Sequence, residues 1–314
     1  MNTPRQALAV AANIAVLSLM PSTAGAYEFG SVGFAQPPGV DILDVGGSPP
    51  PGLYGGVGMN FSSRTATGPG APTGGAEQIT AVGLSPALNW VTPWTLFGGR
   101  YSVVAVQPLN YNNVGAPINL DRQGLHNTYV APLNLSWALG DSGVFVKTFF
   151  SAFVPVGSIS GPTGLGSVGV PWWTLQPGVV VSYLKDGWNL TFRSAVEFNT
   201  PNWKTGYKSG DVLHLNLVAT KTFGPWTVGP IATYIGQISD DHSSSVYRGA
   251  INANRYNDTA VGGLVSYNFG PASAHLWFTK DIVVNASGGR AGRADPAIFA
   301  KGWSVFTSIS FPFK

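Results

Sequence analysis

The sequence predicts an all-β fold, a transmembrane up-and-down antiparallel β-barrel of about twelve strands with long extracellular loops and short periplasmic turns. Three observations carry that expectation. Only 10% of the 314 residues are charged, against about 25% in an ordinary soluble domain. Apolar and polar residues alternate with period two over segments long enough to cross a bilayer. The connectors between those segments run long and short by turns from one end of the chain to the other.

Composition narrows the function classes. The 41 glycines and 24 prolines are scattered throughout, which penalises the helices of a helical soluble enzyme. A hydrophobic content of 44% opposes a disordered chain. With no cysteine there is neither a disulfide staple nor a thiolate metal site. The 17 basic and 14 acidic residues are dispersed, too mild a balance for a nucleic-acid footprint.

The N-terminus reads as an export signal. Arg5, the apolar run Ala7–Met20 and the small residues Ala24-Gly25-Ala26 predict a signal peptide over residues 1–26, cleaved after Ala26. The run is shorter than the roughly 20 residues that a spanning helix needs. Residues 27–51, with Pro37-Pro38 and Pro49-Pro50-Pro51, form a Pro/Gly-rich segment ahead of the barrel at 52–314. It is either a loose periplasmic tail or a plug folded into the lumen.

The strands follow in order: Gly52–Ser62, Ile79–Val91, Thr95–Leu109, Gly124–Leu139, Gly143–Val156, Pro171–Leu184, Trp188–Asn199, Val212–Thr222, Trp226–Ser239, Thr259–Phe269, Ala274–Val284 and Gly302–Phe313. The connector Ser63–Gln78 is long, and Thr92-Pro93-Trp94 is short. Asn110–Gln123 is long again, and Gly140-Asp141-Ser142 short. Gly157–Val170, Thr200–Asp211, Asp240–Asp258 and Asn285–Lys301 continue the long series. Lys185-Asp186-Gly187, Phe223-Gly224-Pro225 and Gly270-Pro271-Ala272-Ser273 continue the short one. Outer-membrane barrels sort their loops this way, and a soluble sandwich has no reason to. The uncharged stretch Thr148–Leu184 is broken by Pro155, Gly157, Gly161, Pro162 and Pro171, so it reads as strand, loop and strand.

Alternation is clearest in Trp188–Asn199. Trp188, Leu190, Phe192, Val196 and Phe198 share one face, and Asn189, Thr191, Arg193, Glu197 and Asn199 share the other. In Val212–Thr222, Leu213, Leu215 and Leu217 oppose His214 and Asn216. In Gly124–Leu139, Tyr129, Ala131, Leu133, Leu135 and Trp137 oppose Thr128, Asn134 and Ser136. Aromatic residues gather near strand ends, among them Trp90, Trp94, Tyr129, Trp137, Trp172, Trp173, Trp188, Trp226 and Phe311, as interfacial girdles require. The last segment ends Phe311, Phe313, Lys314, one residue beyond the terminal aromatic usual for such barrels.

Several strings resemble one family over almost the whole mature chain. They are Pro49-Pro50-Pro51-Gly52-Leu53-Tyr54, Trp90-Val91-Thr92-Pro93-Trp94 and Trp173-Thr174-Leu175-Gln176-Pro177. Tyr183–Trp188, Asn199-Thr200, Tyr207–Asp211 with His214, Gly224–Gly229 and Tyr267–Gly270 complete the set. The chain is similar to the outer-membrane family named for a meta-pathway of phenol degradation, whose members are also called SphA-like transporters. The resemblance implies a barrel that passes hydrophobic or aromatic compounds, with no catalytic residue and no cofactor.

Inward polar residues are the candidates for function. Arg100, Lys147, Arg193, Glu197, His214 and Asn216 are expected to line the lumen or substrate path. Facing lipid, Arg or Lys near the midplane would cost about 2–4 kcal/mol. Arg193 and Glu197, four apart on one strand, are too far apart to touch and call for cross-strand partners. Lys147 shares its face with Phe145, Phe149 and Phe153, and the sequence leaves open whether that face is inward. The pair Asp211/His214 lacks a nucleophile beside it, and the Asp240-Asp241-His242 run reads as a solvated loop tip. No nucleotide or metal motif is present.

The resulting expectation is a passive outer-membrane channel in a Gram-negative envelope, with no enzymatic activity, cofactor, metal or nucleic-acid partner. Its partners are outer-membrane lipid, hydrophobic or aromatic small molecules, and the export and barrel-assembly machinery. A closed structural or ligand-binding barrel and a surface hydrolase are the alternatives.

Overall fold

The computed structural model describes residues 28, 31, 35–67, 78–116, 119–251, 253–288 and 299–313, so the expected signal peptide lies outside the described residues. The ladder begins with β1 (Gly52–Thr67), β2 (Gln78–Leu96), β3 (Gly99–Val106), β4 (Leu109–Val114), β5 (Leu120–Leu125), β6 (Thr128–Ala138) and β7 (Val144–Val154). It continues with β8 (Thr174–Lys185), β9 (Trp188–Asn199), β10 (Val212–Phe223), β11 (Trp226–Gln237), β12 (Ala253–Asn268), β13 (Ser273–Gly288) and β14 (Phe299–Pro312). β3 and β4 pair successive stretches of β2, so they are one wall strand interrupted at Gln107-Pro108. β5 and β6 are likewise one strand, interrupted at His126-Asn127. β1 pairs with both β2 and β14 and closes the ring at twelve antiparallel strands.

Closure follows from the solvent. In hydrocarbon no water can bond a free N–H or C=O, so a sheet crosses only when it has no edge. The outer wall is then free to be apolar. Leu53, Val57, Met59, Phe61, Leu84, Leu88, Leu190, Phe192, Leu217, Phe278 and Ile309 are all exposed on it. Trp90, Trp94, Trp188, Trp226, Phe269 and Phe313 ring the short-turn rim. Among the described residues no helix is long and apolar enough to cross a membrane. The fold is an outer-membrane β-barrel.

Three local expectations are corrected. Thr92-Pro93-Trp94 is not a turn but lies within β2, past the last residue paired to β1, where the ladder with β3 shifts register. The hairpin instead turns at Phe97 (φ 52°) and Gly98 (φ 77°), the two positive-φ positions of a twist-matched two-residue turn. Most of the expected loop Asn110–Gln123 is strand: β4 pairs with both β2 and β5. Leu109 and Tyr111 are exposed and alternate with Asn110 and Asn112, but the consecutive polar pair Asn112-Asn113 hides that alternation in the sequence. Tyr129 and Trp172 leave the girdle. A register break between Val130 and Leu133, at Pro132, turns Tyr129 inward against Phe153 with ring centres 5.2 Å apart. Trp172 is buried with Phe153, Leu165 and Val170.

The Phe-bearing face of β7 points inward, which settles the alternative left open for Lys147. Its neighbour across the ladder makes room for it. A Cβ on Gly178 would stand 2.3 Å from the Phe149 ring and 2.7 Å from the Ser194 carbonyl oxygen. Gly178→Val is therefore expected to destabilise the barrel by about 1–3 kcal/mol, an overpacking cost. The measurement is the midpoint of the heat-dependent mobility shift of folded barrel on gels. An unchanged midpoint would contradict this packing.

Candidate functional site

The register sets several inward side chains in one row. Arg100 lies beside Ser136, Ser136 beside Lys147, Lys147 beside Val180, Val180 beside Arg193 and Arg193 beside Asn216. Four of the six candidate residues thus lie in one row across six of the twelve strands, three of them cationic. Glu197 and His214 sit above it, toward the long loops, with Glu197 Oε1 3.1 Å from His214 Nε2. The Gln176 amide reaches the same carboxylate at 3.3 Å. Arg193 and Glu197 do not touch each other. Arg193 instead stacks on Phe149, its guanidinium carbon 4.8 Å from the ring centre, with Gln176 Oε1 3.3 Å from Nη2.

The carboxylates facing the cations come from outside the wall. Residues 35–51 run down the lumen from the long-loop end to the start of β1, bonding to inward side chains on the way. Gln36 accepts from Gln176 at 2.8 Å, and the Gly39 carbonyl accepts from Trp277 Nε1 at 2.8 Å. Ile42 is buried among Val218, Ile231, Leu264, Trp277 and Phe306. Asp41 pairs with Arg193 and accepts from Asn216 Nδ2 at 2.6 Å. Asp44 pairs with Lys147 and stands 3.3 Å from Arg193 Nε. Lower still, the Gly46 N–H donates to Ser182 and its carbonyl accepts from Ser136. Glycine is required there, since a Cβ would meet the Phe145 carbonyl oxygen at 2.7 Å. Arg193 is 2% exposed. Removing the partners of so buried a charge costs about 3–5 kcal/mol.

The upper end is held separately. Glu28 is buried, accepting from Asn202 Nδ2 and Thr205 Oγ1 at 2.6 Å each and from the Tyr247 hydroxyl. Its own N–H donates to Ser209. Burial raises the Glu28 pKa above its ordinary value, opposed by the hydrogen bonds from Thr205, Tyr247 and Asn202 and aided by the Asp241 charge. Asp241 is no solvated tip. It is buried, accepting from the Tyr207 hydroxyl, the Gly210 N–H and Gln237. Asp211 faces Lys208 at 3.8 Å, while His214 faces Glu197. Asp240 pairs with Arg255 at 2.7 Å.

A cavity of about 110 Å³ remains between Ser31, Pro37 and Pro38 and the wall, bordered by Asn60, Arg64, Ala81, Asn112, Asp258 and Phe306. Arg64 Nε lies 3.1 Å from Asp281. Among the described residues no group of three metal-ligating side chains could hold an ion. Sequence reasoning missed Glu28, Gln36, Asp41, Asp44 and Gln176. The readable signal was a pair of acids, Asp41 and Asp44, in a Pro/Gly-rich segment of a charge-poor chain.

A family profile described as "Putative MetA-pathway of phenol degradation" matches residues 62–294. The chain belongs to that family. Among solved structures, the phenol-degradation family barrel is similar to an outer membrane channel from Pseudomonas putida F1. The TM-score is 0.69 at 11% identity, covering 85% of this chain and 97% of that one. It is also similar to the translocator domain of the autotransporter NalP from Neisseria meningitidis, with a TM-score of 0.51 at 9% identity, covering 84% and 90%. At these identities the likeness concerns the fold alone. No curated protein sequence matches the chain.

The Glu28 anchor has a definite pH sign. Its docked carboxyl takes up a proton more readily than a free one, so docking is strongest below the ordinary glutamate value and weakens as pH rises through the raised one. A thiol at Ala35→Cys, buried beside Phe153 and Trp172, reports the docking. Its labelling by an externally added maleimide is expected to rise with pH across that window relative to the same thiol in a Glu28→Gln background. Parallel profiles in the two backgrounds would refute the anchor.

Proposed function

We propose that the barrel is a passive outer-membrane channel for small hydrophobic, chiefly aromatic, compounds, and that residues 35–51 are its internal plug. The observation that carries this reading is the lumen itself. Among the described residues it holds a seated peptide, an inward aromatic surface of Tyr129, Phe149, Phe153, Trp277 and Phe306, and a cavity of about 110 Å³. A cavity of about 150 Å³ accommodates one benzene ring, so the space is on the scale of a single aromatic ring and too small for a sugar. Family membership points the same way, since the family description names phenol degradation.

In this reading Arg100, Lys147, Arg193, Glu197, His214 and Asn216 line the substrate path. The long loops capture the solute, and displacement of the plug opens the way down. A gradient maintained by metabolism inside the cell supplies the direction. Lateral exit into the bilayer is a second route, favoured by two neighbouring interruptions of the wall. The β6–β7 ladder breaks at Pro132, and the β8–β9 ladder lacks pairs at Gln176 and Pro177, with Phe150 between the two prolines. The same contacts that seat the plug favour the alternative of a closed structural barrel. Among the described residues His214 faces Glu197 and not a nucleophile, and the observation that favours the hydrolase alternative is a serine–histidine pair elsewhere, Ser266 Oγ and His275 Nδ1, 2.7 Å apart on β12 and β13.

Expression in cells with an intact lipopolysaccharide leaflet decides between channel and closed barrel. Initial uptake is measured for radiolabelled toluene, phenol and phenylacetate, and at least one of the three is expected to enter several-fold faster than in cells with an empty vector, while uptake of a monosaccharide stays unchanged. Equal rates with and without the protein across the panel would refute the channel.

A further inference from the structure

We infer that the solutes which open this channel are hydrophobic monocarboxylates, bound through the carboxylate by Lys147 and Arg193 in the place of Asp44 and Asp41. The inference rests on the channel reading above and specifies its substrate class.

From β3 to β10 the wall sets three cations and no anion in one row, Arg100, Lys147 and Arg193 alternating with Ser136, Val180 and Asn216. The acids of the wall lie elsewhere. Glu197 faces His214, and Asp281, three strands further along the row, faces Arg64. Asp258 borders the cavity that Arg64 also lines. Among the described residues, the acids within ion-pair distance of Lys147 and Arg193 are Asp41 and Asp44 of the plug. Asn216 completes the receptor by donating to Asp41 at 2.6 Å. Beneath the guanidinium lies the Phe149 ring, held against the wall by the space at Gly178. The plug thus occupies a preformed site with three donor side chains for carboxylates, Lys147, Arg193 and Asn216, and an aromatic floor.

That construction ranks the solutes by charge. A neutral aromatic that pushes the plug aside takes Asp41 and Asp44 away from Lys147 and Arg193 and offers no charge in return, which opposes opening. An amine adds a like charge to the row. A carboxylate on an aryl or alkyl body returns one of the two negative charges as the plug leaves, its two oxygens set between Lys147 and Arg193, while its apolar part covers Phe149. Of the three it is the one that supplies an anion at all. Because a ligand opens a gate only by binding the open state better than the closed one, the carboxylate is the group that does so.

Three probes of one skeleton test the charge: phenylacetate, 2-phenylethanol and phenethylamine. The native chain has no cysteine, so Val40→Cys, partly buried on the plug beside Ile42, gives a clean report of plug release in purified, folded barrel. Phenylacetate is expected to raise the maleimide labelling rate about tenfold, as for a ligand at roughly ten times its dissociation constant for the open state. The alcohol and the amine should leave the rate within about twofold, and acetate, lacking the ring, should act far more weakly than phenylacetate. Lys147→Met should abolish the phenylacetate response, Lys147→Arg should keep it, and Asp44→Asn should raise labelling with no ligand present. Heat-dependent gel mobility confirms that each variant is folded.

An equal response to all three probes, or a full phenylacetate response in folded Lys147→Met, would overturn the assignment. If that happens while toluene uptake by cells still rises, the channel stands and only the carboxylate falls. If no aromatic enters faster than the sugar, the channel reading fails and this inference falls with it.

Discussion

Everything in this molecule depends on pairing backbone groups where there is no water to pair them. A strand in hydrocarbon must bond on both sides, and β1 achieves this by taking β2 on one side and β14 on the other. Once the ring is closed, the outward positions are free to be Leu, Val, Phe and Ile, and polar side chains are confined to the inside. Even the interruptions obey the rule. The break at Pro93 falls where β1 no longer needs a partner, and the breaks at Pro132 and Pro177 are each confined to two or three residues of an otherwise continuous ladder.

Closure creates a second problem, which the interior solves. A twelve-strand ring encloses more space than its own inward side chains fill, and several of those side chains are charged. Residues 35–51 answer both demands together. Ile42 fills the apolar space between Trp277 and Val218, and the two aspartates face Lys147 and Arg193. The upper and lower ends are held by different chemistry, Glu28 in a cage of hydroxyls and an amide, Gly46 by its backbone against β6 and β8. Because the counter-charges sit on a separate piece of chain, the charge balance of the lumen depends on where that piece lies. A wall with an acid of its own beside Lys147 and Arg193 would bind the segment less.

Much of this was legible in the residues, and the parts that were not share a cause. Hydrophobic alternation is a local property, so the faces of β9 and β10 were assigned correctly from Trp188–Asn199 and Val212–Thr222 alone. The order of long and short connectors gave the up-and-down topology for the same reason. Where a local irregularity intervened the reading failed. Pro132 flipped Tyr129 to the inside, and the asparagines of β4 masked the alternation of a short strand. The Asp-Gly turn at 186–187 was read correctly, while the Phe97-Gly98 turn was displaced by the more conspicuous Pro93.

The sequence by itself determined the solvent, the strand count and which side chains of the most regular strands face inward, since these follow from composition and from a period of two along one strand. Only the tertiary structure decided which charges meet. Arg193 and Asp41 are 152 positions apart in the chain, and nothing local to either indicates the other. The register of six strands, fixed by backbone bonding around the ring, brings Lys147, Arg193 and Asn216 into one row. The path of the N-terminal segment then brings the carboxylates down to them.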